Sequence, residues 1–123
     1  MTSTKTVLIV DDSRVSRMMA RQYIASLHAD WIIEEAGTGE ESLLKARTAT
    51  PDLILMDVNM PGMGGIAAAE QLRHEFPAVP ISLLTANVQT ATRERANAMG
   101  IGFMEKPITE ARIAQLLATL KAA

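Results

Sequence analysis

The feature of this sequence that most constrains its fold is a regular alternation of short apolar runs with longer helical patterns. Three of these runs are almost uninterrupted, as expected of strands that are buried on both faces of a sheet, and they cover residues 7–10, 53–56 and 81–84. A mixed apolar and acidic run at residues 31–35 predicts an edge strand. A short run at residues 101–104 predicts a strand at the opposite edge.

Helical patterns fill the intervals between these runs. They are predicted over residues 13–27, 39–48, 66–75, 88–99 and 110–121. The first helix carries apolar residues at four-residue spacing, with Met18 and Ile24 beside them, which predicts a stripe facing the core: Val15, Met19, Tyr23 and Leu27. Strand followed by helix five times over predicts an α/β fold, with a doubly wound parallel sheet between two layers of helices.

Length and composition limit the remaining classes of protein. A chain of 123 residues with 48% apolar residues can build one self-sufficient core, so we expect a single domain over residues 1–123. The absence of cysteine excludes disulfides and thiolate chemistry. Twelve basic residues against fourteen acidic ones do not favour direct binding of nucleic acid. No segment has the length of a membrane span and the N-terminus has no secretory pattern, so a cytoplasmic location is expected.

Charged and polar residues follow the predicted strands where the chain leaves the sheet. In open α/β sheets the reactive site lies beyond the carboxyl ends of the strands, which here carry Asp11, Asp12, Asp57, Thr85 and Lys106. Two like charges ~4 Å apart repel by about 4 kcal/mol at an effective dielectric constant of 20. Such a cluster is tolerable if a divalent cation neutralises it, and oxygen ligands favour Mg²⁺, with Mn²⁺ as the alternative.

The charges of this cluster point to phosphoryl chemistry. Three aspartates, one Mg²⁺ and Lys106 balance one another. Adding a phosphoryl group to one aspartate leaves about one negative charge, which hydrogen bonds from Thr85 and from backbone amides can absorb. Asp57 is the best candidate for the nucleophile, because it ends the central predicted strand between the Asp11–Asp12 pair and Thr85.

This set of residues, together with the run DVNMPGM at residues 57–63 and the Lys106-Pro107 pair, resembles the receiver domain of two-component response regulators, the CheY-like family. The likeness extends over residues 7–120. It implies a flavodoxin-like fold of five strands and five helices, with strand order 2-1-3-4-5. It also implies a signalling switch that is not an enzyme beyond its own phosphotransfer and slow autodephosphorylation.

The resemblance assigns a role to each carboxylate. Asp57 is the phospho-acceptor and takes its phosphoryl group from a phosphohistidine on a histidine kinase or phosphotransfer protein. Asp12 and Asp57 bind Mg²⁺ through their carboxylates, the backbone carbonyl of Asn59 is a further ligand, and Asp11 acts largely through water.

The resemblance also assigns the residues around a bound phosphoryl group. Thr85 hydrogen-bonds the group, Lys106 pairs with another of its oxygens, and the bond before Pro107 is expected to be cis. Phe103 is the switch aromatic that turns inward when Thr85 moves toward the phosphate; ordinary core packing is the alternative role. The face made by the fourth helix, fifth strand and fifth helix then changes its binding to a downstream protein.

Several properties of the signalling system stay open at this stage. We expect a receiver domain without an output domain in this chain, either standing alone or cut from a larger regulator. It is expected to be a monomer or a phosphorylation-dependent dimer. The cognate kinase, the target and the lifetime of the acyl phosphate have no local signature in the sequence.

Three other classes of protein compete with this interpretation. Haloacid-dehalogenase-like phosphatases also combine aspartates, Mg²⁺, a hydroxyl and a lysine, but they carry Asp-x-Asp after the first strand, whereas Asp11 and Asp12 are adjacent. A receiver-like module that is never phosphorylated typically lacks an acidic residue or the lysine. A flavin-binding protein needs a phosphate loop rich in Ser, Thr and Gly after Val10, which is absent here.

Overall fold

The computed structural model describes residues 4–60, 62–86 and 89–121, in which strands and helices alternate. The strands are β1 (Thr6–Val10), β2 (Ile32–Ala36), β3 (Leu53–Asp57), β4 (Ile81–Thr85) and β5 (Gly102–Glu105). The helices are α1 (Arg14–Leu27), α2 (Gly39–Thr48), α3 (Gly64–Glu75), α4 (Thr90–Ala98) and α5 (Glu110–Lys121). All ten predicted elements are confirmed, each within two residues of its predicted bounds; residues 61, 87 and 88 of the predicted motifs lie outside the described residues.

The five strands form one parallel sheet in the order β2-β1-β3-β4-β5, which confirms the order that the resemblance implies. The register places Val10 of β1 beside Met56 of β3, and it places Asp57 beside Leu84 of β4. The carboxyl ends of β1, β3 and β4 therefore stand side by side, and the residues that follow them share one rim of the sheet.

Buried apolar side chains cover both faces of the sheet, which confirms the three-layer architecture. Helices α1 and α5 bury Ile24 and Ile113 against one face. Helices α2, α3 and α4 bury Leu43, Leu72 and Ala96 against the other. The central strands β1, β3 and β4 lie between these two clusters, and this position explains their nearly continuous apolar sequences.

The apolar stripe predicted for α1 is wrong, although the helix itself is correct. Large apolar side chains of this helix remain substantially exposed: Val15, Met18, Met19 and Leu27. The buried residues are Ala20 and Ile24, with Tyr23 partly buried beside them. Residues four apart advance by about 40° beyond a full turn at each step, so the predicted stripe winds around the helix instead of following the sheet. Met18 and Met19 are consequently not core residues.

Two glycines determine how α3 begins at the end of β3. Gly64 has φ +78°, a backbone conformation that favours glycine. A Cβ atom on Gly65 would lie 1.9 Å from the carbonyl oxygen of Asp57, so only glycine allows this approach. The amide of Gly65 donates a hydrogen bond to the carbonyl oxygen of Val58 at 3.2 Å. Helix α3 is therefore seated directly against the segment that carries Asp57.

Candidate functional site

Three carboxylates meet at the carboxyl rim of the sheet. Single carboxylate oxygens of Asp11, Asp12 and Asp57 all lie within 4.8 Å of one another. Asp11 follows β1, Asp57 ends β3, and the pairing of Val10 with Met56 sets the two side by side. Asp11 is 2% exposed and Asp57 is 4% exposed, whereas Asp12 is open to solvent. The rim is thus a partly buried acidic pocket with one exposed member.

Lys106 brings a positive charge to this pocket from the end of β5. Its Nζ atom lies 3.1 Å from Oδ1 of Asp57 and 3.2 Å from Oδ2 of Asp11. The backbone amide of Lys106 donates to the carbonyl oxygen of Thr85 at 2.7 Å, and the Lys106–Pro107 peptide bond is cis. One ammonium group is therefore shared by two buried carboxylates.

The ionisation of the pocket reflects this crowding. Burial raises the pKa of Asp57, and the charge of Asp11 raises it further; hydrogen bonds from Lys106 and the Asn59 backbone offset only part of the rise. Burial works to lower the pKa of Lys106, but its hydrogen bond to Asp57 and the charges of Asp57 and Asp11 leave that pKa above its usual value. The pocket favours cations and resists the ionisation of its own central carboxylate.

The donor atoms fit a hard divalent cation. Carboxylate oxygens at this mutual separation can act together as ligands, and Mg²⁺ usually takes one or two carboxylates with water in its remaining positions. Asp11 accepts hydrogen bonds from Lys106 and from the amide of Ser13, and Asp57 accepts them from Lys106 and the Asn59 backbone, so a cation would share both buried carboxylates with these donors. Asn59 stands beside them on the loop after β3, where its backbone contacts Asp57.

Thr85 and Phe103 occupy the neighbouring strands on one face of the sheet. Thr85 ends β4 and is 2% exposed. It pairs with Glu105 of β5. Two residues earlier on each strand, and on the same face, Leu83 pairs with Phe103. The ring of Phe103 is partly buried against the core, and Cζ of Arg93 lies 5.9 Å from its centroid. Thr85 and Phe103 are thus diagonal neighbours on adjacent strands.

Sequence reasoning missed two residues that support the pocket. Arg17 of α1 donates a hydrogen bond to the backbone carbonyl of Asp11. Gly65 allows α3 to approach the carbonyl of Asp57. An arginine near the start of a helix has no distinctive sequence signal, and the Gly64-Gly65 pair that precedes the helix predicted at residues 66–75 does not reveal the close approach.

The fold and the site together define the class of this protein. It is a doubly wound α/β domain with an acidic pocket and a lysine at the carboxyl rim of its sheet. The family described as response regulator receiver domain matches residues 7–118. The chain belongs to this family, as the resemblance of its motifs predicted.

Individual relatives agree with this assignment. The response regulator GacA of Pseudomonas viridiflava is 39% identical over 79 residues, which is 64% of this chain and 37% of that protein. A protein-glutamate methylesterase/protein-glutamine glutaminase of Methanosarcina acetivorans is 36% identical over 98 residues, covering 80% of this chain and 28% of the relative. The chemotaxis protein CheY4 of Vibrio cholerae has a solved structure with TM-score 0.86 and 30% identity, covering 96% of this chain and 99% of the other.

The curated relatives are longer than the chain. It spans 37% of the GacA protein and 28% of the methylesterase, so the shared part is the receiver domain alone. Among the described residues, no helix is both long and apolar enough to cross a membrane.

Proposed function

We propose that this receiver domain is a phosphorylation switch in which Asp57 accepts a phosphoryl group from a phosphohistidine on a histidine kinase or phosphotransfer protein. The observation that carries the proposal is the contact of Lys106 Nζ with Asp57 Oδ1 at 3.1 Å, inside a pocket of three converging carboxylates. A buried carboxylate beside one ammonium group is an oriented nucleophile with a fixed cation next to it.

The transfer is a single displacement at phosphorus. A carboxylate oxygen of Asp57 forms the new O–P bond while the N–P bond of the donor breaks. The imidazole nitrogen keeps the electron pair and takes up a proton. Lys106 then pairs with a phosphoryl oxygen, and the hydroxyl of Thr85 donates a hydrogen bond to another. Thr85 ends β4, which lies beside β3, and Lys106 already contacts Asp57 from the end of β5, so neither needs a large rearrangement to reach the group.

The proposal includes Mg²⁺, with Mn²⁺ as a substitute. Asp12 and Asp57 would hold the cation together with the backbone carbonyl of Asn59, and Asp11 would act largely through water. When bound, the cation neutralises the carboxylates and the charge that spreads over the phosphoryl oxygens during transfer. The separation of the carboxylate oxygens supports this assignment.

The open side of the pocket suits a protein donor. Asp12 and Ala86 are exposed at the rim, and Ala86 is too small to cover Asp57. Beside Lys106, a groove of about 320 Å³ is lined by Met19, Pro107 and further residues. A partner helix that carries the phosphohistidine can therefore bury apolar contacts next to the acceptor, which favours a protein partner over nucleic acid.

Phosphorylation is proposed to reach the outer surface through Thr85 and Phe103. Movement of Thr85 toward the phosphoryl group frees space on the same face, into which the Phe103 ring can turn. The face of α4, β5 and α5 then changes its affinity for a downstream protein or for a second copy of the chain. On this proposal the protein is a regulator, and it modifies only itself.

Intact-mass measurement with acetyl phosphate tests the proposal. The wild-type chain is expected to gain one phosphoryl group in the presence of Mg²⁺ and none in EDTA, and the adduct should be stable in acid and labile in base. Asp57→Asn should gain nothing, whereas the exposed control Asp30→Asn should behave as wild type. An Asp57→Asn protein that acquired the same base-labile adduct would exclude Asp57 as the acceptor.

Two other functions predict different results in the same experiment. A hydrolase would turn over a generic phosphate ester many times, whereas the proposed switch stops after one slow self-modification. A receiver-like module that is never phosphorylated would gain no mass with either small-molecule or protein donors. The adjacency of Asp11 and Asp12 and the presence of Lys106 in the pocket favour the switch over both.

A further inference from the structure

Arg17 reaches from the first turn of α1 to the backbone of the acidic pocket. Its Nη1 atom donates a hydrogen bond to the carbonyl oxygen of Asp11 at 2.5 Å. Its Nε atom donates to Oε1 of Glu35 on β2 at 2.9 Å. The side chain is only 17% exposed, so the guanidinium is held between two elements of the fold rather than extended into solvent.

The carbonyl that Arg17 contacts belongs to the peptide bond joining Asp11 to Asp12. The other polar groups of Asp11 are also engaged: its amide donates to Ala36, and its two carboxylate oxygens accept from Ser13 and Lys106. The contact from Arg17 completes this set and fixes the plane of the peptide. That peptide leads directly into Asp12, so its plane is one constraint on where the exposed Asp12 carboxylate stands.

We propose that Arg17 is a positioning residue that presents the Asp12 carboxylate to the cation of the pocket. The inference rests on the proposed function, because it takes that cation to be Mg²⁺. Removing a side chain that orients a metal ligand typically weakens metal binding about tenfold or more. Electrostatics alone predicts the opposite change in affinity, because loss of a nearby positive charge would strengthen the binding of a cation. The direction of the change therefore separates positioning from charge.

Arg21 is a matched control on the same helix. It lies one turn after Arg17, and its Nε atom contacts the other carboxylate oxygen of Glu35 at 2.7 Å. Its second contact is the carbonyl of Ile33, away from the pocket. The hydrogen bonds from both arginines oppose the effect of burial and lower the pKa of Glu35. Arg17→Ala and Arg21→Ala thus remove the same charge and the same kind of ion pair, and only Arg17→Ala loses a contact with Asp11.

The experiment is calorimetric titration of the unphosphorylated full chain with Mg²⁺, without any phosphodonor. Arg17→Ala is expected to raise the Kd for Mg²⁺ about tenfold, and Arg21→Ala to leave it within about twofold of wild type. Arg17→Lys keeps the charge, but one ammonium group cannot reproduce the two-sided contact, so a rise of about threefold is expected. If Arg17→Ala does not fold, Arg17→Lys decides the question.

Further readouts separate positioning from a general loss of structure. The rise in melting temperature at a fixed, subsaturating Mg²⁺ concentration should be smaller for Arg17→Ala than for Arg21→Ala. Phosphorylation by acetyl phosphate should return to near the wild-type rate at saturating Mg²⁺, because Asp57, Thr85 and Lys106 are untouched.

Three results would overturn the inference. The first is an Arg17→Ala protein that binds Mg²⁺ as tightly as the Arg21→Ala protein does, and the second is an Arg17→Lys protein whose Kd for Mg²⁺ equals that of the wild type. Either result would overturn this inference and leave the proposed function untouched. A wild-type chain that binds no Mg²⁺ at millimolar concentration would overturn it together with the metal dependence of the proposed function.

Discussion

The ammonium nitrogen of Lys106 lies 3.1 Å from Oδ1 of Asp57, and the same atom also contacts Asp11. Both carboxylates are almost completely buried, whereas the lysine side chain is 23% exposed. One cation thus compensates two desolvated anions, with a third carboxylate close by. On the proposed function, stability without metal, affinity for a cation and the reactivity of Asp57 are consequently coupled, and each can be measured separately.

Lys106→Met should destabilise the metal-free protein. Removing one partner of a buried ion pair costs about 3–5 kcal/mol, and the partial exposure of Lys106 reduces the expected loss to about 2 kcal/mol at pH 7. Urea unfolding in EDTA measures the change. Lys5→Met, at the opposite end of the sheet, is the control and should stay within about 0.5 kcal/mol of wild type. Equal losses for the two variants would show that the shared contact contributes nothing specific.

Asp57→Asn should stabilise the metal-free protein at neutral pH. Burial raises the pKa of folded Asp57 above its unfolded value of about 3.9, so the folded state binds that proton more tightly. Wild-type stability therefore falls as pH rises through the interval between the two values, whereas an amide does not titrate. We expect a melting temperature about 3 °C higher for the variant at pH 7 in EDTA, a difference that shrinks toward pH 4, and less stabilisation by Mg²⁺.

Asp12→Ala extends the same test to the exposed carboxylate. Its metal-free melting temperature should change in the same direction but by less, because Asp12 is solvated, while stabilisation by Mg²⁺ should again be weaker. Finding both Asp57→Asn and Asp12→Ala destabilised in EDTA would mean that the carboxylate cluster is not under electrostatic strain.

Gly65→Ala should damage the fold and the pocket together. The added Cβ would meet the carbonyl oxygen of Asp57 at 1.9 Å, so α3 or the end of β3 must shift, at an expected cost of about 3 kcal/mol. Gly64→Ala is the control: no atom lies within 4 Å of its added Cβ, and the positive φ alone should cost about 1–2 kcal/mol. Chemical denaturation compares the two; a larger loss for Gly64→Ala would contradict the close approach.

The switch proposal predicts a local change at Phe103. The chain has two phenylalanines, so fluorophenylalanine labelling should give two resonances in fluorine NMR, from Phe76 and Phe103. Adding Mg²⁺ and beryllofluoride should shift the Phe103 resonance and leave that of Phe76, which follows α3, nearly unchanged. Thr85→Ala should abolish the shift. A Phe103 resonance that does not respond in the wild-type protein would assign this ring to ordinary core packing.

Local chemistry explains why the elements were predictable. The strands β1, β3 and β4 are buried on both faces, so their apolar runs are nearly continuous. The sequence also marks the start of α2, because threonine is a favoured N-cap residue and the hydroxyl of Thr38 accepts a hydrogen bond from the amide of Glu41. The parallel arrangement then requires Asp11 and Asp57 to share a rim, and the structure brings them together with Asp12 and Lys106. The roles assigned to these residues stay predictions.

Long-range packing explains what the sequence did not reveal. The buried side of α1 was mispredicted because it is centred on Ala20 and Ile24, and Ala20 is a small residue with little weight in an apolar pattern. Arg17 and Gly65 were missed because their importance depends on the atoms opposite them, the carbonyls of Asp11 and Asp57.

The amino-acid sequence alone determined the order of the elements, the parallel sheet and the identity of the acidic residues at its rim. These follow from periodicity and from chain connectivity, which act over a few neighbouring residues. Only the tertiary structure decided that Asp57 is desolvated while Asp12 is not, that Lys106 is shared, and that Arg17 supports the pocket. Burial and charge compensation depend on segments distant in the chain, and no local pattern records which of their atoms will meet.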